Sequence, residues 1–506
     1  MWRHLEYANN WGLTGLIKFY LIFTQKYFML MALILMLYEK EKKAMTNIPE
    51  EFIKKLTQQI GDRFIFSDPE KLEAYNFDGT DFTFLPNLVV EPETTEEVSK
   101  LMKLATEYRV PVIPRGAATG VTGGALAIHG GIILSLLRMN KIISIDEIDM
   151  TAVVQPGVIN FDLHEAVEKK GLYYPPDPAS YETSSIGGNI AEDAGGPHCY
   201  KYGTTRDYVL GMKVVLPDGT IMNTGVQTRK GVVGFDLTNL IIGSEGTLAI
   251  VTEATVRLIP LPGKIITLLA FFPDIHALSA TLYGITKNRI VPAALEFLDP
   301  ASVNTIRDRI SIPVPKDAST LLIIDLDGES EELDRQMVDV GEICLDNGAD
   351  DVLLADSSGK RQGLWDVRRK LRDFIKEGSK FKRAEDVTVP IRKIPELIEG
   401  CEEIARKYEL MNHNFGHLGD GNVHVNLTHK QKNEQVIGQA KYAAKEIFEL
   451  TVKLGGTISG EHGIGITKQE FLGIELSQPS IELQKKIKQA FDPLNILNPG
   501  KIFPGS

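Results

Sequence analysis

The sequence predicts an α+β fold, and three observations carry that prediction. Leu88-Val89-Val90 and Val110-Pro111-Val112-Ile113-Pro114 are short strand-like runs on either side of an amphipathic helical segment from Thr94 to Tyr108. After Pro260-Leu261-Pro262-Gly263 the chain alternates strand-like and helix-like segments. Ile265 to Phe272, Ala293 to Leu298 and Leu321 to Asp327 read as strands and His276 to Asn288 as a helix. That order suggests an antiparallel sheet with helices on one face. The third observation is Asp420-Gly421, a two-residue turn signal between apolar alternations, which marks a β-hairpin.

Composition narrows the class. A chain of 506 residues, 43% hydrophobic and 24% charged, is ordinary for two to four globular domains. A net charge of −12 argues against a nucleic-acid partner. Cys199, Cys344 and Cys401 are widely spaced, form no CxxC pair and cannot by themselves ligate an iron–sulfur cluster. Sparse cysteine fits a reducing, cytoplasmic compartment.

In chain order, residues 1–44 differ from the rest. Tyr27 to Tyr38 is a twelve-residue apolar run, and Gly12 to Phe23 is a weaker one. The clean run is short for a bilayer span, which needs about 20 residues, and no small-residue cleavage site precedes Glu39. Three readings compete: an upstream start with Met45 the true beginning, a membrane anchor through residues 12–38 giving peripheral association, and a cleaved signal. From Thr46 onward Asn47 is expected to cap a helix carrying Phe52, Ile53 and Leu56. The Thr94–Tyr108 helix turns Val98, Leu101, Met102, Leu104 and Ala105 inward, with Thr94 or Thr95 as its cap. The chain then enters Arg115-Gly116-Ala117-Ala118-Thr119-Gly120-Val121-Thr122-Gly123-Gly124-Ala125. Successive N–H groups in such a glycine-rich loop form an anion nest. No Gly-Lys-Ser/Thr follows, so it is not a P-loop, and the spacing does not match the usual dinucleotide fingerprint.

Arg115 to Ala125 resembles the flavin pyrophosphate loop of FAD-linked oxidases of the vanillyl-alcohol-oxidase type. Ser185-Ile186-Gly187-Gly188-Asn189-Ile190-Ala191 with Ala194-Gly195-Gly196 resembles a second motif of that family, and Ile242-Gly243-Ser244-Glu245-Gly246-Thr247-Leu248-Ala249-Ile250 a third. Leu216-Pro217-Asp218-Gly219 is similar to the family's hairpin turn. The C-terminal half resembles the branch with D-lactate dehydrogenase, D-2-hydroxyglutarate dehydrogenase and the glycolate oxidase flavin subunit. The resemblance implies a two-subdomain FAD-binding domain at 45–262, an α+β cap domain for substrate and metal at 263–480, and a segment at 481–506 returning to the FAD domain. It also implies that Arg115, Gly116, Ala118, Thr119, Gly120, Thr122, Gly123, Gly124, Gly187, Gly188, Asn189, Ala194, Gly195, Glu245, Gly246, Ile250 and Asn498 contact FAD. Tyr174-Pro175-Pro176-Asp177-Pro178 is stiff and extended, so Pro176 and Asp177 are expected to wall the cofactor slot. His198 and Cys199 lie near, yet this branch is similar to non-covalent binders, and dissociable FAD is expected.

The hairpin carries the chemistry. With the turn centred on Asp420-Gly421, His417 faces His424, and Asn426 shares their side of the sheet. Two imidazoles so placed can share a metal ion, and Glu461-His462 offers one more ligand and an acid–base group. The resemblance implies the same division: His417, His424 and Glu461 on a divalent metal, zinc before manganese or iron; His462 as acid–base group; Asn426 and Arg368 on the substrate. Arg368 lies in Leu364-Trp365-Asp366-Val367-Arg368, with Arg372 one turn on as a second anion contact. Ala384-Glu385 stands where the hydroxyglutarate enzyme carries a lysine, so a substrate with a distal carboxylate is not expected. The implied function is oxidation of a small D-2-hydroxy acid, D-lactate or glycolate, with electrons passed to an external acceptor: a quinone, a cytochrome, an electron-transferring flavoprotein or an iron–sulfur subunit. The alternatives are a metal-independent FAD oxidoreductase of another alcohol, a metallohydrolase, and a flavin electron-transfer subunit of a multi-protein complex; a homo- or hetero-oligomer is open in each case.

Overall fold

The computed structural model describes residues 48–505, apart from positions 229, 310–313, 316–318 and 356. The apolar N-terminal runs and Asn47 lie outside the described residues. Helix α1 (Glu50–Ile60) has Pro49 as its N-cap and no side-chain cap, and it buries Phe52, Leu56 and Ile60. Four strands, β1 (Ile65–Phe66), β2 (Leu88–Val90), β3 (Val112–Arg115) and β4 (Ile132–Ser135), form a sheet in the order β1-β2-β4-β3. β4 runs parallel to both β2 and β3. The parallel crossover from β2 to β3 is made by α2 (Thr95–Tyr108), whose capping box pairs Thr94 with Glu97. Its apolar stripe packs with α1 onto one face of the sheet.

The next strands are β5 (Ile142–Asp146), β6 (Thr151–Val154), β7 (Leu172–Tyr173), β8 (Val209–Val215), β9 (Ile221–Gly225), β10 (Ile250–Arg257) and β11 (Ile259–Pro260). Five of them make an antiparallel sheet ordered β5-β6-β10-β8-β9, while β7 pairs only with β11. The short helix α3 (Ile186–Glu192) buries Ile186 and Ile190 against this sheet. The glycine-rich loop between β3 and β4 therefore faces α3 from the other subdomain. A Cβ on Gly116 would overlap Ser185 Oγ, so only glycine permits this approach.

The C-terminal half is built on β12 (Lys264–Phe272), β13 (Ala294–Leu298), β14 (Thr320–Gly328), β15 (Asp351–Leu354), β16 (Phe381–Thr388), β17 (Met411–His417) and β18 (Asn422–His429). These form one antiparallel sheet ordered β15-β12-β14-β13-β17-β18-β16. Its helices are α4 (Ile275–Lys287), α5 (Ser330–Asp346), α6 (Ser358–Glu377), α7 (Ile394–Lys407) and α8 (Glu434–Lys453). α4, α5, α7 and α8 cover one face, through residues such as Leu278, Val340, Leu397 and Phe448. The expectation of helices on one face alone is corrected, because α6 and the helix Pro300–Ile306 pack on the other through Leu364, Leu371 and Val303. The reason lies in the central strands: β13 and nearly all of β14 are buried at every position, and their largely apolar side chains on both faces need cover.

After α9 (Gln478–Phe491) the chain returns to the first sheet. Val112 N–H donates to Ile496 O, and Asn498 N–H donates to Val112 O, both at 2.8 Å. Among the described residues no helix is long and apolar enough to cross a membrane.

Candidate active site

Where the two halves meet, a cavity opens between the glycine-rich loop, α3 and the β10 approach, and Arg372, Glu461 and His462 close it from the second half. Of the residues expected to contact a cofactor, Arg115, Gly116, Ala118, Thr119, Gly120, Gly124, Gly187, Gly188, Asn189, Ala194, Gly195, Glu245, Gly246 and Ile250 line it. Ala118 and Glu245 hold φ of +56° and +52°, left-handed conformations that cost a non-glycine residue about 1 kcal/mol or more. The structure turns the Arg115 guanidinium away: it donates to Phe77 O at 2.7 Å and lies over the Tyr75 and Phe77 rings, bracing the loop from behind.

Five expected contacts stand back from the lining. Asn498 donates to Gly124 O at 3.0 Å and to Glu245 O at 2.8 Å, tying the two loops together. Thr122 bonds His462 O, and a Cβ on Gly123 would come within 2.5 Å of the Ile466 side chain, so both face the second half. Pro176 and Asp177 sit one layer out, and the wall itself is Pro178, Ala179 and Ser180. Pro176 O accepts from Asn160 at 3.1 Å, and Asp177 holds His198 Nδ1 at 2.7 Å.

The hairpin register differs from the expected one. His417 is opposite Asn422, and His424 is opposite Phe415, so the loop spans Leu418 to Asp420-Gly421 rather than two residues. Gly421 N–H closes the turn onto His417 O at 3.1 Å, with Gly421 at φ +85°. A slip of two residues keeps every side chain on its face, so His417 and His424 remain diagonal neighbours with ring centroids 5.2 Å apart.

Three imidazoles converge on one carboxylate oxygen. Glu461 Oε1 lies 3.6 Å from His417 Nε2, 3.5 Å from His424 Nε2 and 3.7 Å from His462 Nε2. His424 and His462 stack at 5.4 Å with a 15° tilt. Two of the rings are fixed from behind: His417 Nδ1 meets Glu296, and His462 Nδ1 lies 3.2 Å from Asp386 Oδ1. A carboxylate on Nδ1 fixes the tautomer that leaves Nε2 as an electron-pair donor. Ligand atoms of His417, His424 and Glu461 all lie within 4.8 Å of one another, a group able to hold a metal ion. Burial, together with the charges of His417, His462 and Arg368, holds His424 well below the usual imidazole range. Burial opposes charge on His417, but the Glu296 carboxylate and then Glu461 override it and raise the ring well above that range.

Three residues of the site were not recognised from the sequence. Glu296 on β13 is fully buried, ion-pairs with Arg368 and contacts His417. A lone glutamate inside the apolar run Ala294-Leu295-Glu296-Phe297-Leu298 was the available signal. Arg368 itself lies 4.7 Å over Phe415, and its Nε has no hydrogen-bond partner. Asp386 on β16 accepts from the N–H groups of Gly460, Glu461 and His462 at 2.8, 2.7 and 3.1 Å, and from buried Lys468 at 2.5 Å. It thereby shapes the loop that presents Glu461 and His462. Glu192 is the third; it lines the cavity at the end of α3. Asn426, 1% exposed, spends its amide on His424 O and His413 O. Arg372 reaches the cavity mouth, donating to Gly79 O at 3.2 Å.

Residues 261–502 match the C-terminal domain of FAD linked oxidases, and residues 86–225 match an FAD binding domain. The chain belongs to the FAD-linked oxidases. Glycolate oxidase subunit GlcD of Bacillus subtilis is 42% identical over 88% of this chain and 97% of its own length. D-lactate dehydrogenase of Anaerostipes hadrus is 38% identical over 82% and 89%, respectively. D-2-hydroxyglutarate dehydrogenase of Stutzerimonas stutzeri is 34% identical over 87% and 96%. Among solved structures, p-cresol methylhydroxylase superposes with a TM-score of 0.74 at 18% identity, covering 90% of this chain and 96% of that one. The 4-ethylphenol oxidase of Gulosibacter chungangensis gives 0.73 at 20% identity, covering 90% and 97%. This FAD-linked oxidase thus has the vanillyl-alcohol-oxidase type of fold, and the cavity between its halves is where the family motifs meet.

Proposed function

We propose that this FAD-linked oxidase converts a D-2-hydroxy acid, D-lactate or glycolate first, to the 2-oxo acid and passes the electrons to an external acceptor. The observation that carries the reading is the set of three imidazole nitrogens around Glu461 Oε1, at the wall of the cofactor cavity. The kinship to relatives named for glycolate, D-lactate and D-2-hydroxyglutarate supports the same class.

His417, His424 and Glu461 would hold a divalent metal, zinc first; two neutral-capable imidazoles and a carboxylate suit that ion, and Glu296 behind His417 supplies the orienting carboxylate such sites use. Bound FAD would supply a hydride acceptor for C2, and a metal held by these residues would supply Lewis-acid polarisation of the substrate hydroxyl. Arg368 has an unpartnered Nε to offer the substrate carboxylate, while Glu296 keeps the guanidinium in place. Arg372 offers a second cation, and Asn426, expected on the substrate, instead braces the His424 backbone beside it. His462, oriented by Asp386, takes the hydroxyl proton at Nε2. Residues 45–262 act as the FAD domain, 263–480 as the cap and 481–506 as the returning segment.

The deciding experiment is the anaerobic flavin spectrum of the purified protein, with D-lactate and then glycolate added before and after chelation. Bleaching that depends on metal supports the whole scheme, and bleaching indifferent to chelation removes the metal from it. His417→Ala is expected to lose metal and turnover yet keep FAD; full activity in it would end the ligand assignment. His462→Asn is expected to retain both FAD and metal but slow flavin reduction by about 10²-fold or more.

A further inference from the structure

The wall of the cofactor cavity has a second cavity behind it, of about 420 Å³, which the scheme above leaves unused. Glu192, Ser244, Glu245 and Glu461 line both, so the two spaces stand on opposite sides of the same side chains. The helix Leu237–Ile241, the loop from Thr457 to Ile464 and α9 enclose the second one. Pockets of about 300–1,000 Å³ hold small organic molecules.

The lining selects the chemistry of that molecule. Leu240, Leu248, Leu472, Leu476, Ile487 and Phe503 give it apolar walls. Its two cations are spent within the protein. Arg206 Nε donates to Asp193 at 2.8 Å, and Lys488 donates to Thr247 O at 2.9 Å and to Leu497 O at 2.8 Å. No cation is left to hold an anion, so neither a hydroxy acid nor a phosphate suits the space. The carboxylates are engaged as well: Glu475 accepts from Ile458 N–H at 2.9 Å, and Glu245 from Ile464 and Gly465 N–H at 2.8 and 2.7 Å. Among the described residues only His417, His424 and Glu461 are grouped closely enough to hold a metal ion, so a free cation is not the ligand either. Glu192 Oε2, which lies against Gly463, is the one buried side-chain polar atom in this lining without a hydrogen-bond partner. The lining therefore suits a neutral, largely apolar molecule with a polar group at its edge.

Oxidation of a 2-hydroxy acid leaves two electrons on FAD that an acceptor must remove. A cytochrome, an electron-transferring flavoprotein or an iron–sulfur subunit is itself a protein and cannot enter a cavity of this size. A quinone is small, neutral and apolar, and it carries polar oxygens at its ring edge. We propose that the second cavity binds a quinone, which takes its electrons from reduced FAD across the wall that the two cavities share. The proposal rests on FAD occupying the first cavity. In the step, the quinone gains two electrons and the N5 proton from anionic reduced FAD and one further proton from solvent. Both C=O groups become C–O–H, and oxidised FAD and a quinol result. A carboxylate at Glu192 can accept the O–H of that quinol.

The test reduces the flavin of the purified holoprotein with light, without oxygen, so the result does not depend on which hydroxy acid is the substrate. The reduced protein is then mixed rapidly with menadione or, separately, with ferricyanide, and flavin reoxidation is followed by absorbance. With menadione the rate is expected to saturate as its concentration rises, the mark of a binding site. Ile487→Trp places an indole in the cavity and is expected to slow reoxidation at low menadione by about tenfold or more. Ferricyanide, which needs no apolar pocket, is expected to react with that variant at the wild-type rate. Leu476→Trp stands in if the first variant does not fold. A wild-type menadione rate in a folded tryptophan variant would overturn the proposal. So would a wild-type rate that rises linearly with menadione, or an equal slowing of ferricyanide. A wild-type protein that binds no FAD would instead remove the cofactor reading, and the proposal with it.

Discussion

At the scale of single residues, the site depends on buried charges that hold one another. Asp386 collects three backbone N–H groups and the Lys468 ammonium, and both side chains are 0–2% exposed. Asp386→Asn therefore leaves Lys468 charged and uncompensated, and is expected to cost about 3–5 kcal/mol in urea unfolding. Adding Lys468→Met should recover part of that loss; no recovery would show that the N–H bonds, not the pair, dominate. His198 gives a pH dependence. Burial disfavours its charge, but the Asp177 carboxylate on Nδ1 outweighs burial and pushes the ring up to about 9. A raised folded value stabilises the protein fully below the unfolded value near 6.5, and the gain is lost as pH rises through 9. Stability should fall by about 3 kcal/mol across that window, and Asp177→Asn should flatten the profile in denaturant midpoints measured from pH 6 to 10.

At the scale of elements, the β17–β18 hairpin sets the distance between the two histidines. Gly421 sits at φ +85°, and a Cβ there would run into the Val389 carbonyl oxygen, so the turn has no room for any other residue. Gly421→Ala is expected to destabilise by more than about 1 kcal/mol and to lower metal affinity, since the turn, not the strands, fixes the relation of His417 to His424. Metal content by elemental analysis beside a denaturation curve checks both; lost stability with full metal content would separate turn from site. α6 positions Arg368 in the same way: Leu364 and Leu371 anchor it to the sheet, and that anchoring holds Arg368 over Phe415.

At the scale of the whole molecule, the cofactor cavity belongs to neither half alone. The loop, α3 and the β10 approach form its floor, while Glu461, His462 and Arg372 close it. FAD at a hundredfold excess over its Kd should therefore stabilise the native state by about 2.7 kcal/mol. Both halves should share the gain, seen as one thermal transition moving upward as a unit. A shift confined to one of two resolved transitions would show that the halves unfold independently.

The sequence by itself determined the α+β class and pointed to the glycine-rich loop and to His417, His424, Glu461 and His462, which the fold brings together. These follow from local signals: glycine where positive φ or close approach is needed, apolar period, and a turn dipeptide. Only the tertiary structure decided the rest. Both faces of the large sheet are covered because its central strands are buried on both sides and mostly apolar, and the hairpin turn is two residues longer than Asp-Gly alone suggested. Glu296 and Asp386 gain their roles from partners 121 and 76 positions away. A buried charge takes its meaning from what is packed against it, and that is fixed only when distant strands and loops are brought together.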